Sequence, residues 1–234
     1  MGCLGLLAAL GVAAGCQPRS PARADAEAPD GASTPLAPIP GEALCVTAGR
    51  VDLRGGTSIH VDVGGMRGVI AGDVTRTAEL AFTYRGPSRT TAALANGEIR
   101  RQIGLKLRAK DTCNVVYIMW HVDPTPGVFV SVKHNEGQST HAECGARGYD
   151  NLASTRTLAP PPVHAGEPHT LRADLDGDTL RVRADGRVVW EQRLPAHAFS
   201  FDGPAGVRSD NGEFDFELRI PSGVRTGGTC TKGE

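Results

Sequence analysis

Residues 169–194 read HTLRADLDGDTLRVRADGRVVWEQRL. Apolar and polar side chains alternate in this segment, and each of its first two runs ends in an Asp-Gly pair, Asp176-Gly177 and Asp185-Gly186. Strict alternation is typical of a strand with one buried face, and Asp-Gly suits the two-residue turns of β-hairpins. The segment therefore predicts a three-stranded antiparallel meander.

The same period of two continues on both sides of this meander. Residues 103–108 and 128–133 alternate, as does the closing segment 214–219, whereas residues 114–122, NVVYIMWHV, are apolar on both faces and predict a central strand covered on both sides. No segment predicts a convincing helix, and residues 90–98 predict at most one short helical turn. We therefore expect an all-β fold of about ten to thirteen strands, arranged as a two-sheet antiparallel β-sandwich.

Length, composition and charge limit the function classes. The chain has 234 residues, with 30 Gly and 16 Pro that favour many turns. This length fits one domain of ~190 residues plus a leader and a linker. The net charge of -1 and the isoelectric point near 6.7 argue against nucleic acid as a partner, because no excess of cations would neutralise phosphates.

Residues 1–16, MGCLGLLAALGVAAGC, predict export. The apolar run 4–14 is too short to span a bilayer and has the length of a signal-peptide core. The small residues 13–15 before Cys16 resemble a bacterial lipobox, which implies that Cys16 becomes the lipidated first residue. The alternative is an ordinary secretory signal, because the first residues lack Lys and Arg and Ala13 stands where Leu is more usual.

Residues 17–41 are rich in Pro, Ala and Ser and predict a disordered linker, so the β-sandwich domain is expected at 42–234. We expect the protein in the cell envelope, in contact with a membrane through its lipid anchor only, and otherwise secreted. Gln17 is not the Asp that retains some lipoproteins at the inner membrane, which slightly favours the outer membrane.

Four cysteines remain beyond the leader, Cys45, Cys113, Cys144 and Cys230. An even number in an exported protein indicates disulfides, and no pair has the close spacing of a zinc site. Three connectivities are open. We favour Cys45–Cys230, which would join the ends of the domain, and Cys113–Cys144, which would tie adjacent strands or a loop.

Residues 185–220 resemble the end of a concanavalin-like (laminin-G-like) jelly-roll domain. The resemblance lies in Asp185-Gly186, Trp190, Gly203, Gly206-Val207-Arg208-Ser209 and Phe214-Asp215-Phe216. It implies a jelly-roll sandwich and a superfamily that contains lectins, glycan hydrolases and protein-binding modules. Carbohydrate, or another envelope component, is therefore the expected partner.

Glu213, Asp215 and Glu217 form the pattern E-x-D-x-E, which resembles the catalytic signature of laminarinase- and lichenase-type glycoside hydrolases. The two-residue period of a strand places the three carboxylates on one face. A hydrolase that retains the anomeric configuration would require the carboxylates of Glu213 and Glu217 to lie close together. Aromatic residues for stacking sugars are few, at 5% of the chain. We therefore expect an outward polar face and keep the hydrolase as an alternative.

The polar segment 133–151 is the expected ligand-binding region, because hydrogen-bonding groups on a disulfide-tied loop suit polar ligands such as sugars. The candidate binding residues are Trp120, His134, Asn135, His141, Arg147, Tyr149 and Asn151. The histidines lack metal-type spacing, and the aspartates of 174–178 fit a hairpin better than a calcium loop. We expect no metal site and no cofactor, although a structural calcium ion is compatible with the resemblance.

No nucleophile elbow or phosphate-binding loop is present in the sequence. The predicted function is a non-catalytic binding module. The two alternatives are the glycoside hydrolase and a structural envelope lipoprotein without a small ligand.

Overall fold

The computed structural model describes residues 35–227, with the backbone alone for residues 156 and 157. These residues belong to one compact unit. The predicted signal peptide with Cys16, residues 17–34 of the predicted linker, and Cys230 lie outside the described residues. No helix between residues 35 and 227 is long and apolar enough to cross a bilayer.

Two antiparallel sheets form a sandwich, which confirms the predicted fold class. The described strands are β1 Leu36–Pro38, β2 Leu44–Ala48, β3 Asp52–Leu53, β4 Ile59–Asp62, β5 Gly65–Ile70, β6 Thr77–Pro87, β7 Arg101–Leu107, β8 Val115–Asp123, β9 Gly127–Lys133, β10 Tyr149–Leu152, β11 Arg156–Thr157, β12 Pro168–Asp176, β13 Thr179–Ala184, β14 Arg187–Arg193, β15 Gly206–Asp210 and β16 Gly212–Pro221. The nine-stranded sheet has the order β11-β14-β13-β12-β6-β16-β4-β3, with β1 also paired to β16. The seven-stranded sheet has the order β10-β9-β8-β7-β15-β5-β2.

The described strands outnumber the ten to thirteen expected because several, such as β1, β3 and β11, have only two or three residues. Strand β1 also corrects the predicted linker boundary. Residues 35–41 are part of the domain: β1 pairs with β16, and the buried Ile39 donates its backbone N–H to Leu218 at 2.9 Å. The prolines in this segment indicated a linker, but an edge strand tolerates proline.

The meander of residues 169–194 is confirmed as β12, β13 and β14. Asp185 and Gly186 both have positive φ, at 48° and 77°, as the two central residues of a type I′ hairpin turn require. Residues 90–98 form no helix. The one short α-helix among the described residues is α1, His141–Cys144, which begins with a capping box formed by the N-cap Thr140 and the helical residue Glu143.

The core lies between the sheets and includes the inward residues of β8. All residues from Val115 to Trp120 are buried, so the prediction of a strand covered on both faces is confirmed. Trp120 packs edge-on against Phe82 and His169, at ring-centroid distances of 5.5 and 5.3 Å. Large rings of this kind contribute much of the apolar area buried in a core.

Asn211 is the single residue between β15, which is central in one sheet, and β16, which is central in the other. The chain changes sheets there with φ at +55°, a conformation that asparagine tolerates better than most residues. The Asn211 side chain is buried, accepts a hydrogen bond from Ala92 N–H at 2.8 Å, and donates to the carbonyls of Ala92 and Arg100 at 2.9 and 3.2 Å. One asparagine therefore joins both sheets to the loop before β7.

Replacing Asn211 with Ala should lower the free energy of unfolding by about 3 kcal/mol, because buried hydrogen bonds are lost and alanine is strained at positive φ. The measurement is equilibrium urea unfolding. Asn96→Ala is the control, since the exposed Asn96 side chain bonds only to Glu98 within the described residues. Equal losses in the two variants would contradict this assignment.

Candidate functional site

The outer face of the seven-stranded sheet combines an apolar cluster, which includes Val115, Tyr117 and Met119, with charged and polar side chains that are also largely buried. On β7, β8 and β15 the inward residues fill the core, and the alternate residues face outward. The strand register aligns one outward row across five strands: Asn151, Ser131, Tyr117, Lys106 and Gly206. We call this surface the sheet face.

Two stacked aromatic pairs lie at the β8–β10 end of the sheet face. The ring of Tyr149, 40% exposed, stacks on the buried Tyr117 at 6.1 Å. The ring of Phe129, 44% exposed, stacks on the buried His121 at 4.1 Å. Each exposed ring is thus supported from beneath, and a fixed flat ring is a suitable platform for an apolar ligand face.

Burial keeps His121 uncharged. Its loss of hydration, reinforced by the nearby Arg100 guanidinium, lowers the pKa of His121 to about 3. The ring is therefore neutral at physiological pH and behaves as an aromatic support for Phe129.

Asp210 organises the centre of the sheet face. Its carboxylate accepts hydrogen bonds from Arg208 and Gln102 at 2.8 and 2.6 Å, and forms an ion pair with Arg67 at 2.8 Å. Burial alone would raise the pKa of Asp210, but the charges of Arg208 and Arg67 outweigh it, so the pKa lies below its usual value. The Arg208 guanidinium also lies 5.0 Å from the Tyr117 ring, which links this network to the aromatic pairs.

Two polar groups of the sheet face have no hydrogen-bond or ion-pair partner within the described part of the chain. Lys106 is 4% exposed, and none of the described contacts engages its ammonium group. The Oε1 atom of Gln102 is buried and unpaired. Buried polar atoms are usually satisfied, so two unpaired groups on one face make that face a candidate for a ligand site.

The predicted polar loop has a different role for most of its residues. The Cys113–Cys144 disulfide is present as predicted and ties α1 to the start of β8. The buried Lys133 ammonium donates to the carbonyls of Gly145 and Thr112, at 2.7 and 3.0 Å, and so fixes the same loop. Cys45 is also disulfide-bonded, and its predicted partner Cys230 lies outside the described residues.

A cleft of about 380 Å³ opens beside this loop and contains one predicted binding residue, His134. His134 stacks near His197 and Phe201, at 5.8 and 5.7 Å. Part of the remaining polar lining is engaged within the protein: Asn114, for example, bonds through its side chain to Asp111, Gln138, His134 and the N–H of Asn135. These contacts fix the wall of the cleft, whereas Lys110, Glu136, Gln138 and Ser139 have no side-chain partner among the described residues.

The other predicted binding residues separate into three groups. Tyr149 and Asn151 lie on the sheet face. Asn135 and Arg147 tie the loop together through backbone carbonyls, and His141 is an exposed residue of α1. Trp120 is 1% exposed and belongs to the core, so it is not available to a ligand, and its place among the candidate binding residues is corrected.

Glu213, Asp215 and Glu217 share the outer face of the nine-stranded sheet and are held by other side chains. Asp215 binds His60 and Arg85, each at 2.7 Å, and these contacts outweigh burial and lower its pKa. The hydrogen bond from Thr57, aided by Arg219, lowers the pKa of Glu217. A glycosidase acid requires a raised carboxyl pKa, so this arrangement does not favour the hydrolase.

His60, Asp62 and Glu213 can bring one ligand atom each within 4.8 Å of one another, a cluster that the sequence analysis did not expect. The Asp62 carboxylate already accepts hydrogen bonds from the backbone N–H and the guanidinium of Arg89. Arg89 thus supplies the positive charge that a cation would provide, and the cluster is explained as an ion-pair network.

Sequence reasoning missed most of the sheet face: Arg67, Gln102, Lys106, Tyr117, His121, Phe129, Arg208 and Asp210. These residues alternate with core positions and appear, one strand at a time, as ordinary solvent-facing residues. One indication was present in the sequence: strand 206–210 carries both an Arg and an Asp, and strand 101–107 carries a lysine. These two strands are paired in the fold, but local sequence patterns do not predict that pairing.

No protein-family model and no curated protein matches this chain. Among solved structures, the carbohydrate binding module CBM66 from Bacillus subtilis is similar, with a TM-score of 0.52, 15% identity, and coverage of 76% of this chain and 96% of that one. The carbohydrate recognition domain of Emp46p has a TM-score of 0.46, 11% identity and coverage of 76% and 87%. A glycosyl hydrolase-like protein from Parabacteroides distasonis has a TM-score of 0.47, 9% identity and coverage of 77% and 88%.

At these identities the similarity concerns the fold alone. The order of the strands in two antiparallel sheets and the CBM66 match agree with the expected architecture. The chain therefore has a concanavalin-like jelly-roll fold.

Proposed function

We propose that this protein is a non-catalytic carbohydrate-binding module and that sugars bind to the sheet face. The observation that carries the proposal is the pair of exposed rings, Phe129 and Tyr149, each stacked on a buried ring. Sugar rings have apolar C–H faces that pack on aromatic surfaces, and their hydroxyls require fixed hydrogen-bonding groups nearby.

Polar side chains lie next to the Phe129 and Tyr149 rings on the paired strands β9 and β10. Ser131 and Asn151 are paired neighbours between Tyr149 and Phe129, and each offers both donor and acceptor atoms. Gln102 and Arg208 extend this polar surface toward the centre of the sheet. The combination of flat rings with fixed donors and acceptors is what a polar ligand with apolar faces needs.

Binding is favoured over hydrolysis because Asp210, the carboxylate at the centre of the sheet face, is committed to ion pairs with Arg67 and Arg208. The E-x-D-x-E residues lie on the other sheet.

Export and anchoring are part of the proposal and rest on the N-terminal sequence. The apolar run 4–14 and the small residues before Cys16 support a lipidated N-terminus, and the Pro- and Ala-rich residues 17–34 support a linker to the domain. The proposed setting is the cell envelope, where a tethered module would meet extracellular or envelope glycans.

Phe129→Ala and Tyr149→Ala should each weaken glycan binding by about tenfold, because each loses a stacking contact worth about 1 kcal/mol or slightly more. A glycan array identifies the ligand, and titration calorimetry then compares the variants. Leu53→Ala is the matched control, since Leu53 is similarly exposed on β3 of the other sheet. Unchanged affinity in both aromatic variants would remove the sheet face as the binding site, and an array without signal would favour the structural lipoprotein.

Cys16→Ser should move the protein from the membrane fraction to the soluble fraction of its bacterial host, because the acyl acceptor is lost. Fractionation followed by immunoblotting measures this change. Cys3→Ser should leave the protein in the membrane fraction, because Cys3 belongs to the segment removed with the signal. Wild-type protein found only in the soluble fraction would contradict the anchor.

A further inference from the structure

The sheet face has an excess of positive charge at its centre. Arg67, Lys106 and Arg208 converge there from β5, β7 and β15, which are adjacent strands, and Asp210 is the one carboxylate in direct contact with them among the described residues. Asp210 pairs with both guanidinium groups, whereas the Lys106 ammonium group has no partner within residues 35–227. Burying an unpaired cation is unfavourable, so a site that keeps one gains free energy when an anion arrives.

We propose that the carbohydrate ligand is acidic and that its anionic group, a carboxylate or a sulfate, binds to the Lys106 ammonium between Arg67 and Arg208. This inference rests on the proposed function of the sheet face and names the class of sugar that it takes. The neutral part of the same glycan would pack on Phe129 and Tyr149 at the β8–β10 end.

The strand register places these cationic side chains next to one another. Lys106 pairs in register with Gly206, and Gly104, two residues earlier on β7, pairs with Arg208. Neither glycine carries a side chain that could separate the cations, and the space at each is filled by neighbouring strands: Gly104 lies against the Ile118 carbonyl and Met119, and Gly206 lies against the Gly68 carbonyl. Charged donors on rigid strands are favourable for an anion because little side-chain entropy is lost on binding.

The charge of Lys106 depends on pH in the physiological range. Burial, followed by repulsion from Arg67 and Arg208 and opposed by the charge of Asp111, lowers the pKa of Lys106 to about 7. Tyr117, from β8, is the remaining neighbour in its row, and burial raises the pKa of this phenol, which therefore stays neutral. Since the anion binds the protonated ammonium, affinity should increase as the pH falls through 7 and decrease as the pH rises above it.

The test is titration calorimetry of the purified protein with two pairs of glycans. Oligogalacturonate is compared with its methyl ester, and dextran sulfate with dextran, at about pH 6 and about pH 8.5, on either side of the lysine pKa. Wild-type protein should bind an acidic glycan at least about tenfold more tightly than its neutral counterpart, and more tightly at the lower pH. Preference within the first pair identifies a carboxylate, and preference within the second identifies a sulfate.

Lys106→Met should abolish both the preference for the acidic glycan and its pH dependence, while binding to the neutral glycan is retained. Its thermal midpoint should not fall, because a buried unpaired charge has been removed, and this checks that the variant folds. Lys110→Met, which removes an exposed lysine beside the cleft, is the control and should keep the preference.

Equal affinity of the wild type for acidic and neutral glycans would overturn the inference and leave the proposed function standing. A preference that persists in Lys106→Met would overturn it as well. Absence of binding to all four glycans, together with a glycan array without signal, would overturn both proposals.

Discussion

The rest of the sandwich depends on the passage from β15 to β16 through Asn211. Both strands are central in their sheets, so one residue sets the relative register of the two halves of the fold. Such a turn requires positive φ, and its buried backbone and side-chain groups must find partners. Asn211 satisfies both needs through its contacts with Ala92 and Arg100. The neighbouring Asp210 is thereby held at the centre of the sheet face, where it orders the two arginines.

Asn211 and Asp210 are adjacent in the chain, so the turn that stabilises the fold also positions the charged residues of the proposed site. Asp210 pairs with Arg67 and Arg208, and the neighbouring strand holds Lys106, which has no carboxylate partner in the described part of the chain. Binding sites commonly keep polar groups that a stable core would satisfy, because a ligand supplies the missing contact. The stacked rings at the edge differ in character: they are exposed, supported from beneath, and independent of charge.

Local patterns predicted the elements far better than the site. Asp-Gly turns delimited the meander of 169–194, and the doubly apolar segment 114–122 identified the central strand, because both depend on residues close in sequence. The edge strand at 36–38 was missed since its prolines resemble a linker, and its pairing partner lies at 219–221. Trp120 was placed among the candidate binding residues because a tryptophan near a strand end does not reveal which face of the strand is covered.

The amino-acid sequence alone was sufficient for the all-β class, the sandwich, the Cys113–Cys144 pairing preference and the hypothesis of an exported binding module, because alternation, turn residues and cysteine number are local or compositional properties. The sheet face required the folded molecule. Arg67, Lys106 and Arg208 are distant in sequence and become neighbours through the strand order β7-β15-β5, which is set by long-range pairing and by burial against the other sheet. The pKa of Lys106, and therefore its charge near neutral pH, follows from that environment and could not be predicted from the identity of the residue alone.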